Sequence, residues 1–130
     1  MAWIHPPHAG MITAHFSWVE AVCRHCQKIP DVAAVVRTSE FMERLREELG
    51  IGPLHVNSWC RCRVHNAAIG GEENSLHIDG LAVDFTARYL SPRKVQARCK
   101  ELQKRNLIGG LGRYASFTHV DRGERRNWSG

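Results

Sequence analysis

Two short segments carry side chains whose types and spacing suit metal chemistry. One is Ser75-Leu76-His77-Ile78-Asp79-Gly80-Leu81-Ala82-Val83-Asp84, the other Phe117-Thr118-His119-Val120-Asp121. Gly80 to Thr86 alternates as a strand does, with Leu81, Val83 and Phe85 on the core face and Ala82, Asp84 and Thr86 on the other. His77 lies just before that strand, and Gly80 permits a tight bend between them, so an imidazole and a carboxylate can converge on one point. A neighbouring strand offers His119 as a third ligand. Three protein ligands of the His/Asp/His type leave one tetrahedral position for water, the pattern of a catalytic zinc centre. A metal so held lowers the pKa of that water towards about 7 and polarises a carbonyl.

The cysteines form a second group. Cys23-Arg24-His25-Cys26 and Cys60-Arg61-Cys62 place four thiols in two pairs, with Cys99 alone. Four thiolates can hold a structural zinc, although the second pair has a one-residue spacer where zinc knuckles usually have at least two. Disulfides and free thiols are the other two readings, and five cysteines cannot all pair within one chain.

These groups need a scaffold. Ser17 with Glu20 three residues on is a capping-box pattern and predicts a helix to about Cys26. Pro30 breaks the chain, and Asp31 caps a longer helix in which Val32, Val35, Val36, Phe41, Met42, Leu45 and Leu49 recur at helical spacing before a stop at Gly50. Leu54 to Ser58 reads as a strand, Val64 to Ile69 as a brief helical piece, and Gly70-Gly71 as a turn. Ser91-Pro92 opens a helix that carries Val95, Cys99 and Leu102 inward and stops near Gly109-Gly110. Leu111–Tyr114 and Phe117–Val120 are the last strands. The order argues an α+β fold, a small antiparallel sheet flanked by helices. No repeat, low-complexity stretch or dividing linker is visible, so residues 1–130 read as a single domain whose residues 1–12 are an irregular N-terminal segment.

The chain has 130 residues, 43% hydrophobic and 24% charged, which argues against disorder and against a coiled coil. No apolar run approaches the roughly 18–20 residues that span a bilayer. The N-terminus has neither the basic nor the apolar region of a secretory signal, so synthesis in the cytoplasm is expected. Lys+Arg 18 against Asp+Glu 13 gives a net charge of +5. That balance suits nucleic acid, an acidic membrane surface or the anionic polymers of a bacterial wall, and equally suits a merely soluble domain.

The pattern Ser75-x-His77-x-x-Gly80-x-Ala82-x-Asp84, followed by His119-Val120-Asp121, resembles the zinc D-Ala-D-Ala carboxypeptidase family. That family includes phage endolysin peptidases and cell-wall endopeptidases and shares its fold with the hedgehog signalling domain. His15-Phe16-Ser17 with Glu20 and Cys23 is similar to its N-terminal segment. Asn57-Ser58-Trp59-Cys60-Arg61 resembles its Ser-x-x-Arg motif, continuing into His65-Asn66 and Gly70-Gly71. Gly109-Gly110-Leu111-Gly112-x-Tyr114 and Arg126-x-Trp128 resemble its later segments, so the likeness extends over about residues 13–128.

The resemblance implies that His77, Asp84 and His119 bind zinc, that Arg61 holds a peptide carboxylate with its fork-shaped guanidinium, and that Ser75 hydrogen-bonds near the metal or substrate. Trp59 would line the cleft beside Arg61 or pack. The implied activity is cleavage of peptidoglycan stem peptides, as a D-Ala-D-Ala carboxypeptidase or an endopeptidase, by a monomeric protein of phage or prophage endolysin type that acts at the wall after release, with no nucleic-acid or membrane partner. One position departs from the pattern. Several relatives carry an acid three residues before the last zinc histidine, where this chain has Ser116, and serine cannot take a water's proton as a carboxylate does. Asp121, on the same side of the strand as His119, is the candidate base or metal-site orienter. Glu72 and Glu73 are weaker candidates. The missing acid keeps open a non-catalytic zinc module of the same fold; charge and cysteine pairs suggest a nucleic-acid-binding zinc domain, which no recognition motif supports.

Overall fold

The computed structural model describes residues 2–130. In chain order its elements are β1 (Met11–Thr13), β2 (Phe16–Ser17), α1 (Trp18–Ala21), α2 (Val32–Leu49), β3 (Leu54–Ser58), α3 (Arg63–Ala68), β4 (Ala82–Ala87), α4 (Pro92–Lys104), β5 (Gly110–Arg113), β6 (Thr118–Asp121) and β7 (Arg126–Ser129). β1 and β2 form a small hairpin, and the other strands form one sheet in the order β3-β4-β6-β5-β7. This is the expected α+β arrangement, with antiparallel pairing from β3 through β5.

The helix ends follow from their caps. Asp31 accepts the Ala34 N–H at 2.8 Å, and Gly50 closes α2 in the left-handed region. Ser91 caps α4 and Pro92 stands in its first turn, where a missing N–H costs nothing. Val35, Met42, Leu45 and Leu49 of α2 join Val95, Cys99 and Leu102 of α4 over Val56, Val83, Phe85, Leu111 and Val120 of the sheet. Burying such side chains contributes about 1.5–3 kcal/mol each and is the main stabilisation available here. Because strand residues alternate, packing Val83 and Val120 into this core turns Asp84 and His119 to the opposite face.

Several elements differ from the expectation. The β1–β2 hairpin, with Met11 opposite Ser17 and Thr13 opposite Phe16, forms where no strand was expected and begins inside the segment 1–12 read as irregular. The capping box at Ser17 and Glu20 forms, with the Ser17 N–H on Glu20 at 2.8 Å, but α1 ends at Ala21. Tertiary pairing overrides the local pattern, since the Ala21 carbonyl accepts from Cys60 N–H at 3.1 Å and Cys23 N–H turns to the Lys28 carbonyl at 3.0 Å. α4 stops at Lys104, where Leu107 N–H folds back to the Leu102 carbonyl at 3.1 Å. β7 has no counterpart in the sequence reading and pairs parallel to β5. The buried Gln103 holds that edge, its Nε2 donating to the carbonyls of Gly109 at 2.7 Å and Arg126 at 3.1 Å. Among the described residues no helix is long and apolar enough to cross a membrane.

Candidate metal centre

The turn from Ser75 to Gly80 delivers His77. Gly80 sits at φ 73°, a conformation that favours glycine, and its carbonyl accepts from Thr38 Oγ1 at 2.7 Å and Trp59 Nε1 at 3.2 Å. Trp59 is buried and holds the turn twice, because its own carbonyl also meets His77 Nδ1 at 2.6 Å. A carbonyl can only accept, so Nδ1 carries the proton and Nε2 presents a lone pair.

Asp84 and His119 are directly opposed in the β4–β6 register. His77 Nε2 lies 3.1 Å and His119 Nδ1 2.9 Å from the same oxygen, Asp84 Oδ1. On its far side, His119 Nε2 lies 2.9 Å from Asp121 Oδ2 and donates to it. With both outer nitrogens protonated, the two inner nitrogens and the Asp84 oxygen are three acceptors facing one another. They repel unless a proton or a cation stands among them. His77, Asp84 and His119 are all buried and their ligand atoms lie within 4.8 Å of one another, a donor set that fits a divalent metal. A carbonyl and a carboxylate on the outer nitrogens are the usual means of fixing ligand tautomers.

The electrostatics match. Burial alone would push Asp84 up, but when His119 and His77 also carry protons on their inner nitrogens, their hydrogen bonds and charge outweigh it and hold the carboxyl well below the usual range. Burial works to lower His119, yet Asp121 and Asp84 on either side raise it above its ordinary value. Asp121 is likewise raised by burial and more than compensated by His119 and by the N–H groups of Gly110 and Gly123.

Glycines make room for this arrangement. A Cβ on Gly110 would collide with the Asp121 carboxylate, whose Oδ1 takes the Gly110 N–H at 2.8 Å and the Gly123 N–H at 2.9 Å. A Cβ on Gly112 would come within 2.7 Å of the Trp128 ring, which lies 4.8 Å from that of His119. Trp128 is anchored by Nε1 donating to the Tyr114 hydroxyl at 2.9 Å. The Gly-rich segment thus lets β5 approach closely while Trp128 covers His119.

Arg61 stands beside the cluster, one guanidinium nitrogen 3.9 Å from Asp84 Oδ2 and another donating to Asn66 Oδ1 at 2.9 Å. Asn66 is itself buried and donates to the Glu72 carbonyl at 2.8 Å. Burial lowers the Arg61 proton affinity, partly offset by Asp84. Ser75 turns its hydroxyl to the His77 N–H at 3.3 Å, towards the backbone of the turn. Ser116 is exposed in the β5–β6 turn, and the Glu72 and Glu73 side chains are exposed too. The sequence reading assigned no role to Asn66, Tyr114 or Trp128. The signal available for all three was their place in the family-like segments His65-Asn66, Gly109-Gly110-Leu111-Gly112-x-Tyr114 and Arg126-x-Trp128.

A family model described as peptidase M15 matches residues 9–121. The chain belongs to the peptidase M15 family, a family of metallopeptidases. It is 38% identical over 63 residues to a protein of Haemophilus influenzae named as a probable peptidoglycan L,D-endopeptidase, MepK. That match takes in 47% of this chain and 32% of the relative, so the chain spans about a third of the length of the curated relative it matches.

Proposed function

We propose that this chain is a zinc-dependent peptidase that cleaves peptidoglycan stem peptides. The observation that carries the reading is the convergence of His77 Nε2, His119 Nδ1 and Asp84 Oδ1, with each outer ring nitrogen already held by a fixed acceptor. His77, Asp84 and His119 would hold the ion. When bound there, zinc supplies Lewis-acid polarisation of the scissile carbonyl and an acidified water. The basic charge of +5 suits approach to an anionic wall, and the named action of the relative agrees with this substrate class.

The chain's own residues divide the remaining work. Arg61, held by Asn66 at the margin of the cluster, would take a substrate carboxylate through its guanidinium N–H groups. Ser75 sets the turn that presents His77. Of the two roles open to Asp121, we assign it orientation. It is fully buried, one oxygen is taken by two backbone N–H groups and the other by His119 Nε2, on the side of the ring away from Asp84. A proton acceptor needs reach to the reacting water, and this carboxylate has its back to it.

That assignment also supports a second reading, a zinc-binding module of the same fold without turnover, since Ser116 is no carboxylate. Mass spectrometry of defined muropeptides after incubation with the zinc-loaded protein separates the two. New fragments from the wild type, absent with His77→Ala/His119→Ala, establish the peptidase. Intact muropeptides at every chain length and cross-link tested would establish the module. The fragment masses also tell whether the bond cut is terminal, as in a carboxypeptidase, or internal, and phage-type release is tested by lysis on co-expression with a holin.

A further inference from the structure

A second group of metal-binding atoms lies apart from the His77–Asp84–His119 cluster. The sulfurs of Cys23, Cys26 and Cys62 lie within 4.8 Å of one another. His25 reaches the same place, with Nδ1 3.6 Å from Cys62 Sγ, and its ring stacks on His65 at 6.0 Å between centroids and 1° between planes. Zinc bonds of about 2.3 Å to sulfur in a tetrahedron put sulfurs about 3.8 Å apart, so closing this set on an ion takes only small side-chain movements.

The backbone around the sulfurs is arranged for thiolates. Cys62 N–H donates to Cys23 Sγ and His65 N–H to Cys62 Sγ, each at 3.4 Å. Residues 23–28 close into a turn, Gln27 N–H on the Cys23 carbonyl at 2.8 Å and Gln27 at φ 59°, which presents Cys23 and Cys26 to one side. A glutamine in the left-handed region is uncommon and needs a surrounding structure that enforces it.

Cys60 does not belong to this group. It is 2% exposed and packs in the core, with its sulfur 3.5 Å from where a Gly80 Cβ would stand. The four-cysteine set that the sequence allows is therefore replaced by three cysteines and a histidine. We infer that Cys23, Cys26, Cys62 and His25 bind a structural zinc ion, separate from the His77–Asp84–His119 centre. Four protein ligands leave no open position, so the ion braces and does not react. It ties the turn after α1 to the segment in which Arg61 sits between Cys60 and Cys62, with Arg61 N–H on the His77 carbonyl at 3.0 Å.

The test uses the full chain carrying His77→Ala and His119→Ala, which removes the other centre and makes the outcome independent of the peptidase reading. Titrated with cobalt(II) alone, it should bind one equivalent with thiolate-to-cobalt charge-transfer absorption. Adding Cys26→Ser should abolish that absorption, and adding Cys99→Ser should leave it. Should Cys26→Ser fail to fold, thiol titration of the parent double variant decides: with zinc present Cys26 and Cys62 should resist a thiol reagent, and chelation should expose them. A double variant that binds no cobalt, or thiols equally reactive with and without zinc, overturns the inference. So does a disulfide between any two of the three cysteines in freshly purified protein.

Discussion

His119 Nε2 and Asp121 Oδ2 are joined by a 2.9 Å hydrogen bond, and this bond decides which face of the His119 ring is basic towards Asp84. Everything assigned to the centre depends on that choice of tautomer. The partner of Asp121 is in turn guaranteed by Gly110, whose missing side chain admits the carboxylate.

Asp121→Asn should therefore act through the metal. An amide has one acceptor oxygen where the carboxylate serves three donors, Gly110, Gly123 and His119. Zinc affinity is expected to fall about 10- to 100-fold, with activity recovering at higher zinc. A rate loss of roughly 10²–10⁴ at unchanged affinity would instead make Asp121 the base. Zinc competition with a chromophoric chelator, run beside kcat, distinguishes them. Ser116→Asp, which supplies the missing acid, should raise kcat if proton transfer limits the rate.

Gly110→Ala should reproduce the same defect without touching a ligand. The new Cβ displaces Asp121, and overpacking of this kind costs about 1–3 kcal/mol. A lowered Tm together with weakened zinc binding is the expected result. An unchanged zinc affinity would show that the Asp121 position does not matter to the centre.

Arg61→Lys keeps the charge and loses the fork. A hydrogen bond to a charged group contributes about 1.5–3 kcal/mol, so kcat/KM should fall roughly 10- to 100-fold on substrates whose carboxylate is read here. Substrates amidated at that carboxylate should lose their preference for the wild type. Wild-type kcat/KM for Arg61→Lys and Arg61→Ala on both would remove the clamp from the account.

How much of this was legible beforehand follows from the chemistry of each signal. His77, Asp84 and His119 could be found because strand alternation puts Asp84 opposite the apolar Val83 and Phe85, and that alternation is written in side chains. The capping residues Ser17, Asp31 and Ser91 were legible for the same reason. Trp59 was left between lining and packing; it packs, and its contribution to the site is a backbone carbonyl, which no residue type announces. The sequence left the four paired cysteines open among zinc, disulfides and free thiols, because the bend after β3 that sends Cys60 into the core and leaves Cys62 half-buried is not written in residue types. β7 is short and polar and exists through Gln103 and its pairing with β5, neither of which is local.

The metal-free centre should respond to pH in a definite direction. His119 is raised above its ordinary value by Asp121 and Asp84, so its protonated form stabilises the metal-free fold fully below the unfolded pKa of about 6.5 and ceases to do so as pH rises through the folded pKa. Metal needs the same nitrogen unprotonated. The zinc-induced rise in Tm should accordingly grow from about pH 5.5 to about pH 8 as the metal-free Tm declines. Scanning calorimetry of both forms across that range checks this, and a constant gap would contradict it.

The most direct test of the centre is a crystal of the zinc-loaded protein measured on both sides of the zinc absorption edge. The account predicts an anomalous peak bonded to His77 Nε2, His119 Nδ1 and an Asp84 oxygen, with Asp121 still on His119 Nε2. A peak on His119 Nε2 with Asp121 as a ligand, or no peak between His77 and His119, would contradict it.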